Sequence, residues 1–242
     1  MLRQLRRLLL IAFGVLGLYI ALLLHPHPLF AYEVRADNIV LHAREPLPAR
    51  AQAIAEAVRA RVASSPFYSA KDTYDVYLCD TPELFALVSV LHPRAGGVSQ
   101  IYLGGNAFIR PSLIEDDRLL GPLGNVVPGE RTLTYFIAHE VTHTMVARRI
   151  GRLAYHRLAA WQQEGYADHV GKAPSDFDFD AARAAFRRDD KELDPARSGL
   201  YKRYQLLTEY SLRVLGQTPE ELLAFRRAKE PLEAALLSDD WR

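Results

Sequence analysis

The stretch Ala138-His139-Glu140-Val141-Thr142-His143 sets two histidines four positions apart, with a glutamate directly after the first. In a helix, residues i and i+4 lie one above the other on the same face, so both imidazoles would address one point. A divalent ion suits that point. Zn2+ takes neutral imidazole at about 2.0–2.1 Å, and two ligands from one turn leave room for a third ligand and for water. Glu140, one position round from His139, would lie beside that water and off the metal, where a general base belongs. The bland alternative is a surface helix with unrelated histidines, since the chain has eight histidines and such a pattern arises by chance on the order of a few per cent of the time.

The flanks favour a helix. "RTLTYFIAHEVTHTMVARRIG" has no proline, carries Arg148 and Arg149 in its last turn and reaches Gly151 just beyond, as a helix with a glycine stop does. Further on, "LAAWQQEGYADHVG" places Leu158, Trp161 and Ala167 at helical intervals and Glu164 and Asp168 four apart on one face. Glu164 follows His143 by 21 residues, which is room for one helix to end, turn and be followed by an antiparallel partner facing it.

In His139, Glu140, His143, Glu164 and Asp168 the chain resembles the gluzincin metallopeptidases, the thermolysin-like zincins, whose pattern is His-Glu-x-x-His on one helix and Glu-x-x-x-Asp on the next. The resemblance implies that His139, His143 and Glu164 bind one zinc ion, that Glu140 activates a zinc-bound water, and that Asp168 accepts a hydrogen bond from a ligand imidazole, that of His139. The last role also has a general reason, because a carboxylate behind a metal-bound histidine fixes its tautomer and orientation. Gluzincins lay substrate along an exposed edge strand ahead of the zinc helix, and the expected strand 98–103 stands at the matching place in the order of elements. Gluzincin aminopeptidases carry Gly-x-Met-Glu-Asn there. This chain has "GGNAF", Gly104 to Phe108, without an acid, which tilts the reading toward an endopeptidase acting on peptides or proteins. The family also supplies a Tyr or His that stabilises the oxyanion. Tyr166, His169, Tyr201, Tyr204 and Tyr210 are candidates, and Tyr204 is the choice because "YKRYQLLTEYSLRVLG" looks like the later helix that carries such a tyrosine. Each of these tyrosines, taken alone, also suits ordinary core packing with its hydroxyl at a polar edge.

The elements that must position these residues read as follows. Ala51, Ile54, Ala55, Val58 and Val62 share one face of an amphipathic helix that ends at Ser65-Pro66. "TYDVYLCD" alternates Tyr74, Val76 and Leu78 against Asp75, Tyr77 and Cys79 and should be a strand. Thr81-Pro82-Glu83 caps a helix over "PELFALVSVL", and "GGVSQIYLGG" returns as a strand. Residues 104–130, rich in Gly and Pro, read as a long loop that is functional or hides a hairpin. Helices are then expected near 131–150, 157–171, 178–190, 200–215, 219–228 and 231–237. Strands first and helices afterwards predict an α+β, zincin-like fold: a small N-terminal sheet with helices, followed by a mainly helical lobe.

The chain begins differently. Arg3, Arg6 and Arg7 precede an apolar run from Leu8 to Leu24 that stops at His25-Pro26-His27-Pro28. As a helix this run rises about 25 Å, close to a hydrocarbon core of about 30 Å. No small-x-small cleavage site follows, so residues 8–24 read as a transmembrane helix in the lipid bilayer in preference to a cleaved signal. The three leading arginines put the N-terminus in the cytoplasm and the rest outside it, by the pattern of a bacterial inner membrane. Residues 1–32 then form the cytoplasmic arginines, anchor and Pro-rich tether, and 33–242 a metallopeptidase domain.

The whole chain of 242 residues is 49% hydrophobic with a net charge of +1, enough apolar content for a substantial core and no general field to draw it onto nucleic acid. One cysteine, Cys79, excludes an internal disulfide framework and reads as a buried apolar residue. His25 and His27 read as interfacial breakers, "SDFDFD" (175–180) as a solvated turn and helix start, and "FRRDDKE" as an exposed helix face. Ser64 and Ser65 lack a partner pattern for nucleophilic chemistry. The reading is a membrane-anchored zinc endopeptidase. Its alternatives are an inactive gluzincin-fold module serving in binding or assembly beside the membrane, and a metal-free helical protein.

Overall fold

The computed structural model describes residues 2–89, 92–172, 177–194, 198 and 200–238. Its first helix, α1 (Leu2–Leu24), is apolar and largely unburied, and from Arg3 to Leu24 it has the length and hydropathy to cross a membrane; a secretion signal has the same marks. The rest is a mixed α+β body with its strands first, as expected.

Five strands form one sheet in the order β1 (Tyr32–Ala36), β2 (Ile39–Ala43), β3 (Tyr74–Leu78), β5 (Ala107–Ile109), β4 (Gly97–Ser99). β1 and β2 make an antiparallel hairpin that turns at Asp37, which adopts a positive φ of 51°. β2, β3 and β5 run parallel, and β4 returns antiparallel along β5 as an edge strand. The crossover between β2 and β3 is α2 (Arg50–Val62), whose apolar stripe Ala51, Ile54, Ala55, Val58 and Val62 is buried. α3 (Pro82–Val88) is capped by the Thr81 hydroxyl, which accepts from Leu84 N.

The expected alternation in β3 sorts its side chains between two cores. Tyr74, Val76 and Leu78 join the main core with Ile39, Leu41, Ala107 and Ile109, under α2 and α4 (Leu133–Ile150). Tyr77 and Cys79 face the other way and meet Phe108, Phe85, Val88, Phe30 and Leu23. That second core ties α1 to the sheet. Leu23 at the end of α1 is 1% exposed and Phe30 3%, and the Asn106 amide donates to the carbonyls of Leu23 (2.9 Å) and Leu24 (3.3 Å). Between them, His27–Leu29 form a single 3-10 turn whose His27 ring meets Tyr77 and His42 edge-on. The Pro-rich tether is therefore packed against the sheet. Cys79 is buried, and its thiol is pushed up to about 12 by that burial and by Asp80.

Among the strands and loops, three stretches depart from the sequence reading. The hairpin β1–β2 was not foreseen. The strand expected at 98–103 ends at Ser99, where the chain turns so that the Gly105 amide donates back to the Gln100 carbonyl. Within 104–130 lie β5 and a small hairpin, β6 (Ser112–Leu113) with β7 (Arg118–Leu119). The hairpin turn holds Asp117, whose carboxylate accepts from the Thr134 amide (2.7 Å) and hydroxyl (2.9 Å). This anion at the start of α4 satisfies free amides and favours the helix dipole.

Thr132 also caps α4, and Gly151, at φ 92°, ends it. A short α5 (Arg152–Arg157) precedes α6 (Ala160–Gly171), which packs against α4 on one side and α8 (Lys202–Glu209) on the other. α7 (Phe179–Arg187) and the π-turn Tyr210–Val214 complete the layer around α8. The helix expected at 219–228 is only α9 (Pro219–Leu222), and α10 (Glu230–Leu237) follows. The 175–180 stretch is described only from Phe177, where Asp178 caps α7; Ser175 and Asp176 lie outside the described residues. Buried Gln162 fastens the C-terminal segment to α6, donating to the carbonyls of Leu222 (2.7 Å) and Phe225 (2.9 Å) while accepting from Arg227 N (3.0 Å).

Candidate metal centre

α4 presents His139 and His143 one turn apart, and α6, lying across it, presents Glu164. Their donor atoms converge. His139 Nε2 is 3.0 Å from His143 Nε2 and 3.2 Å from Glu164 Oε2, and His143 Nε2 is 3.8 Å from the same oxygen. A tetrahedral site with bonds of about 2.0–2.1 Å has ligand-to-ligand edges of roughly 3.3–3.4 Å, a length the three separations bracket. Among the described residues this is the set of three ligand-type side chains whose donors lie close enough to share one ion. Two imidazole nitrogens and one carboxylate oxygen form a donor set that a divalent metal fits.

The other nitrogen of each imidazole is also engaged. Asp168 Oδ1 lies 3.0 Å from His139 Nδ1, at ion-pair distance though off the line of a well-formed hydrogen bond. Asp168 is itself held by the Tyr135 hydroxyl (2.5 Å) and by Lys172 (2.6 Å). His143 Nδ1 bonds the Tyr155 hydroxyl. Burial alone would lower the pKa of His139, but the Asp168 and Glu164 carboxylates outweigh it and hold the value up to about 10. His143, buried and beside His139, is pushed down to about 4. Asp168, beside His139 and Lys172, and Glu164, beside the His143 and His139 imidazoles, are both held below the ordinary carboxylate range in spite of burial.

Glu140 lies on the same helix next to His139 and is 7% exposed. Burial raises its carboxyl to about 7, against the lowering influence of His139 and Ser99. The Ser99 hydroxyl lies 2.8 Å from Glu140 Oε2 and 2.6 Å from its carbonyl oxygen and can donate to one at a time. Ser99 ends the edge strand β4, so this contact fastens the sheet edge to the helix. Two glycines let them approach: a Cβ at Gly97 would stand 2.6 Å from Glu140 Cγ, and one at Gly96 would stand 2.3 Å from the Phe136 ring. β4, α4 and α6 together wall a cleft of about 1050 Å³, lined among others by His139, Glu140, His143, Glu164, Tyr155 and Tyr201.

Of the five oxyanion candidates, Tyr201 lines this cleft. Its ring lies parallel to that of His139, centroids 6.3 Å apart, and Glu164 followed by burial pushes its phenol pKa up, so the hydroxyl keeps its proton. Tyr204, the residue chosen from sequence, stacks behind Tyr201 at 5.7 Å and does not line the cleft. Tyr166 bonds Ser65, His169 pairs with Glu209, and Tyr210 is buried against Phe179. Ser99, Tyr135, Tyr155 and Lys172 were not singled out from sequence. Tyr135 and Lys172 had a signal, since each stands four positions from a site residue on its own helix; Ser99 and Tyr155 arrive from other elements and had none.

No protein-family model, no curated protein and no solved structure matches this chain.

Proposed function

We propose that the chain is a membrane-anchored, zinc-dependent endopeptidase of gluzincin type that hydrolyses peptide bonds outside the cytoplasm. The observation that carries this reading is the convergence of His139 Nε2, His143 Nε2 and Glu164 Oε2 on one point, with the buried Glu140 carboxylate beside it. His139, His143 and Glu164 would hold the ion. When bound, it supplies Lewis acidity toward a carbonyl oxygen and toward water. The zincin-like arrangement is supported by the order of parts: edge strand, helix with His139 and His143, facing helix with Glu164 and Asp168.

The chain's own residues then divide the work. β4 is the edge strand of the sheet, along which an extended peptide can add as a further strand. Glu140 takes a proton from the attacking water and passes it to the leaving amine, acting first as general base and then as general acid. The Tyr201 phenol donates to the carbonyl oxygen as negative charge develops there. Asp168 and Tyr155 keep the two imidazoles turned with Nε2 toward the cleft. The cleft volume of about 1050 Å³ and the absence of an acid in "GGNAF" favour internal peptide bonds over N-terminal ones. Arg3, Arg6 and Arg7 in the first turns of α1, ahead of its apolar run, support an N-terminus in the cytoplasm.

The test is Glu140→Gln in the full-length protein in detergent, with zinc measured by elemental analysis and hydrolysis followed on a randomised peptide library. Both forms should hold one zinc ion per chain, and the variant should lose about 10²–10⁴-fold in rate. Equal hydrolysis by both forms, or none by the zinc-loaded parent, removes the peptidase assignment and leaves a binding or assembly module.

A further inference from the structure

The cleft and the anchor share their walls. The chain from Ser99 to Leu103 lines the cleft, and the same loop closes through the bonds Gly105 N to Gln100 O (2.9 Å) and Gln100 N to Asn106 O (2.8 Å). Asn106 then holds the last carbonyls of α1. A Cβ at Gly104, which has φ +93°, would stand 3.4 Å from the Leu24 side chain, so the loop backbone lies directly on the end of the anchor.

A second wall makes the same connection. Ser89, His92 and Arg94 line the cleft, just after α3. α3 touches the anchor lower down, where the Tyr19 hydroxyl donates to the Leu87 carbonyl (2.5 Å). The Gln100 side chain joins the two walls by donating to the Val88 carbonyl (2.8 Å). Tyr19 precedes Leu24 by five residues, about 7.5 Å along the helix toward the membrane. The end of α3 therefore reaches past the point where α1 enters the domain.

In a bilayer these contacts would set the depth of the domain. The helix from Arg3 to Leu24 is about 33 Å long, and its apolar run Leu8–Leu24, about 25 Å, fills most of a hydrocarbon core of about 30 Å with Arg3, Arg6 and Arg7 at the cytoplasmic headgroups. Tyr19 then falls toward the interface, where tyrosines collect, and Leu87 lies at headgroup depth or below. Apolar side chains are left exposed on the segments that touch the anchor: Leu87 of α3 is 47% exposed and Tyr102, in the 99–105 loop with its ring edge-on to His156, 53%, and Leu24 and Leu29 are exposed too. With Phe30 and Leu23 buried in the sheet, no slack linker lets the domain rise away.

Resting on the peptidase reading above, we propose that the cleft opens at the lipid surface and that its substrates are the membrane-proximal segments of polypeptides themselves anchored in the bilayer. Such a segment leaves the membrane at the height of β4 and is confined to the same surface. A soluble chain has to be brought down to it.

The experiment uses the full-length protein in liposomes and has two readouts. First, Leu87→Cys and Tyr102→Cys carry an environment-sensitive fluorophore, Cys79 being buried; doxyl-labelled lipids should quench both, while a label at Leu237→Cys on α10 stays bright. Absence of quenching at Leu87 and Tyr102 overturns the placement. Second, a library of randomised ten-residue segments is presented on a single-pass anchor, either next to the bilayer or raised on a helical spacer of about 20 residues, about 30 Å, and also as free peptides. Cleavage should fall at least tenfold for the raised and the free segments. Equal rates in all three formats overturn the inference and leave the peptidase standing. No cleavage in any format by zinc-loaded protein sinks the peptidase reading, and this one with it.

Discussion

Gly165, next to Glu164 on α6, offers a test in which two simple arguments give opposite signs. Helix propensity alone says that Gly→Ala in a helix interior stabilises by about 1 kcal/mol. The packing says otherwise: a Cβ at Gly165 would stand 2.4 Å from the Tyr204 carbonyl oxygen, 2.7 Å from its carbon and 2.5 Å from Thr208 Oγ1. Two of these three atoms are backbone of α8, so the helix must recede by about 1 Å, and a gap of that size forfeits roughly a quarter to a half of each dispersion contact across the interface. Overpacking of this kind costs about 1–3 kcal/mol or more. Taking the upper end for a backbone clash and subtracting the propensity gain leaves about 2 kcal/mol. For a chain of this size that lowers the midpoint by roughly 4–8 °C. Thermal unfolding of full-length Gly165→Ala in detergent, with metal removed from both proteins, measures it. Adding Thr208→Ala should recover only part of the loss, because the Tyr204 carbonyl remains. A midpoint unchanged or raised in Gly165→Ala would refute the claim that α6 and α8 touch backbone to backbone here.

Four further outcomes follow from the site. Tyr201→Phe should lower kcat by about 10²–10³-fold with KM little changed, whereas Tyr204→Phe should leave turnover nearly intact; steady-state kinetics on any cleaved peptide separates them. Asp168→Asn and Tyr155→Phe should each weaken zinc binding by about 10–100-fold, read by competition with a fluorescent chelator. Because the metal-free His139 holds its proton up to about 10, zinc uptake must displace it, and apparent affinity should rise about tenfold per pH unit between pH 6.5 and 8.5. The raised His139 pKa also means that its contribution to metal-free stability is complete below its unfolded value of about 6.5 and is lost as pH rises through about 10; unfolding with chelator present across that window checks the sign.

How much of this could be read from the chain depended on how local the determinant was. His139 and His143 lie on one helix, so their spacing alone places them together, and the glycine stop at Gly151 bounds that helix as expected. Glu164 and Asp168 needed the family resemblance, because nothing local says that α6 faces α4. β2 escaped notice because all five of its residues are buried, which removes the alternation that marks a half-exposed strand, and its hairpin turns on Asp37 where a glycine would have signalled it. Ile101, Tyr102 and Leu103 look like strand residues, yet Gly104 and Gly105, at φ 93° and 89°, fold that segment into the loop at the end of α1. Tyr201 and Tyr204 lie three positions apart with stacked rings, and sequence cannot say which of such a pair lines the cleft and which stands behind it.

Burial of Leu23 and Phe30 in the smaller core bears on where this protein can be cut for laboratory expression. Each side chain contributes about 1.5–3 kcal/mol by leaving water, so a recombinant fragment begun at residue 33 forfeits roughly 3–6 kcal/mol from a net stability of about 5–15. It also bares Tyr77 and Phe108, which makes it prone to aggregate. The natural starting point for a crystallisable fragment is ahead of Tyr19, inside what a hydropathy plot would discard.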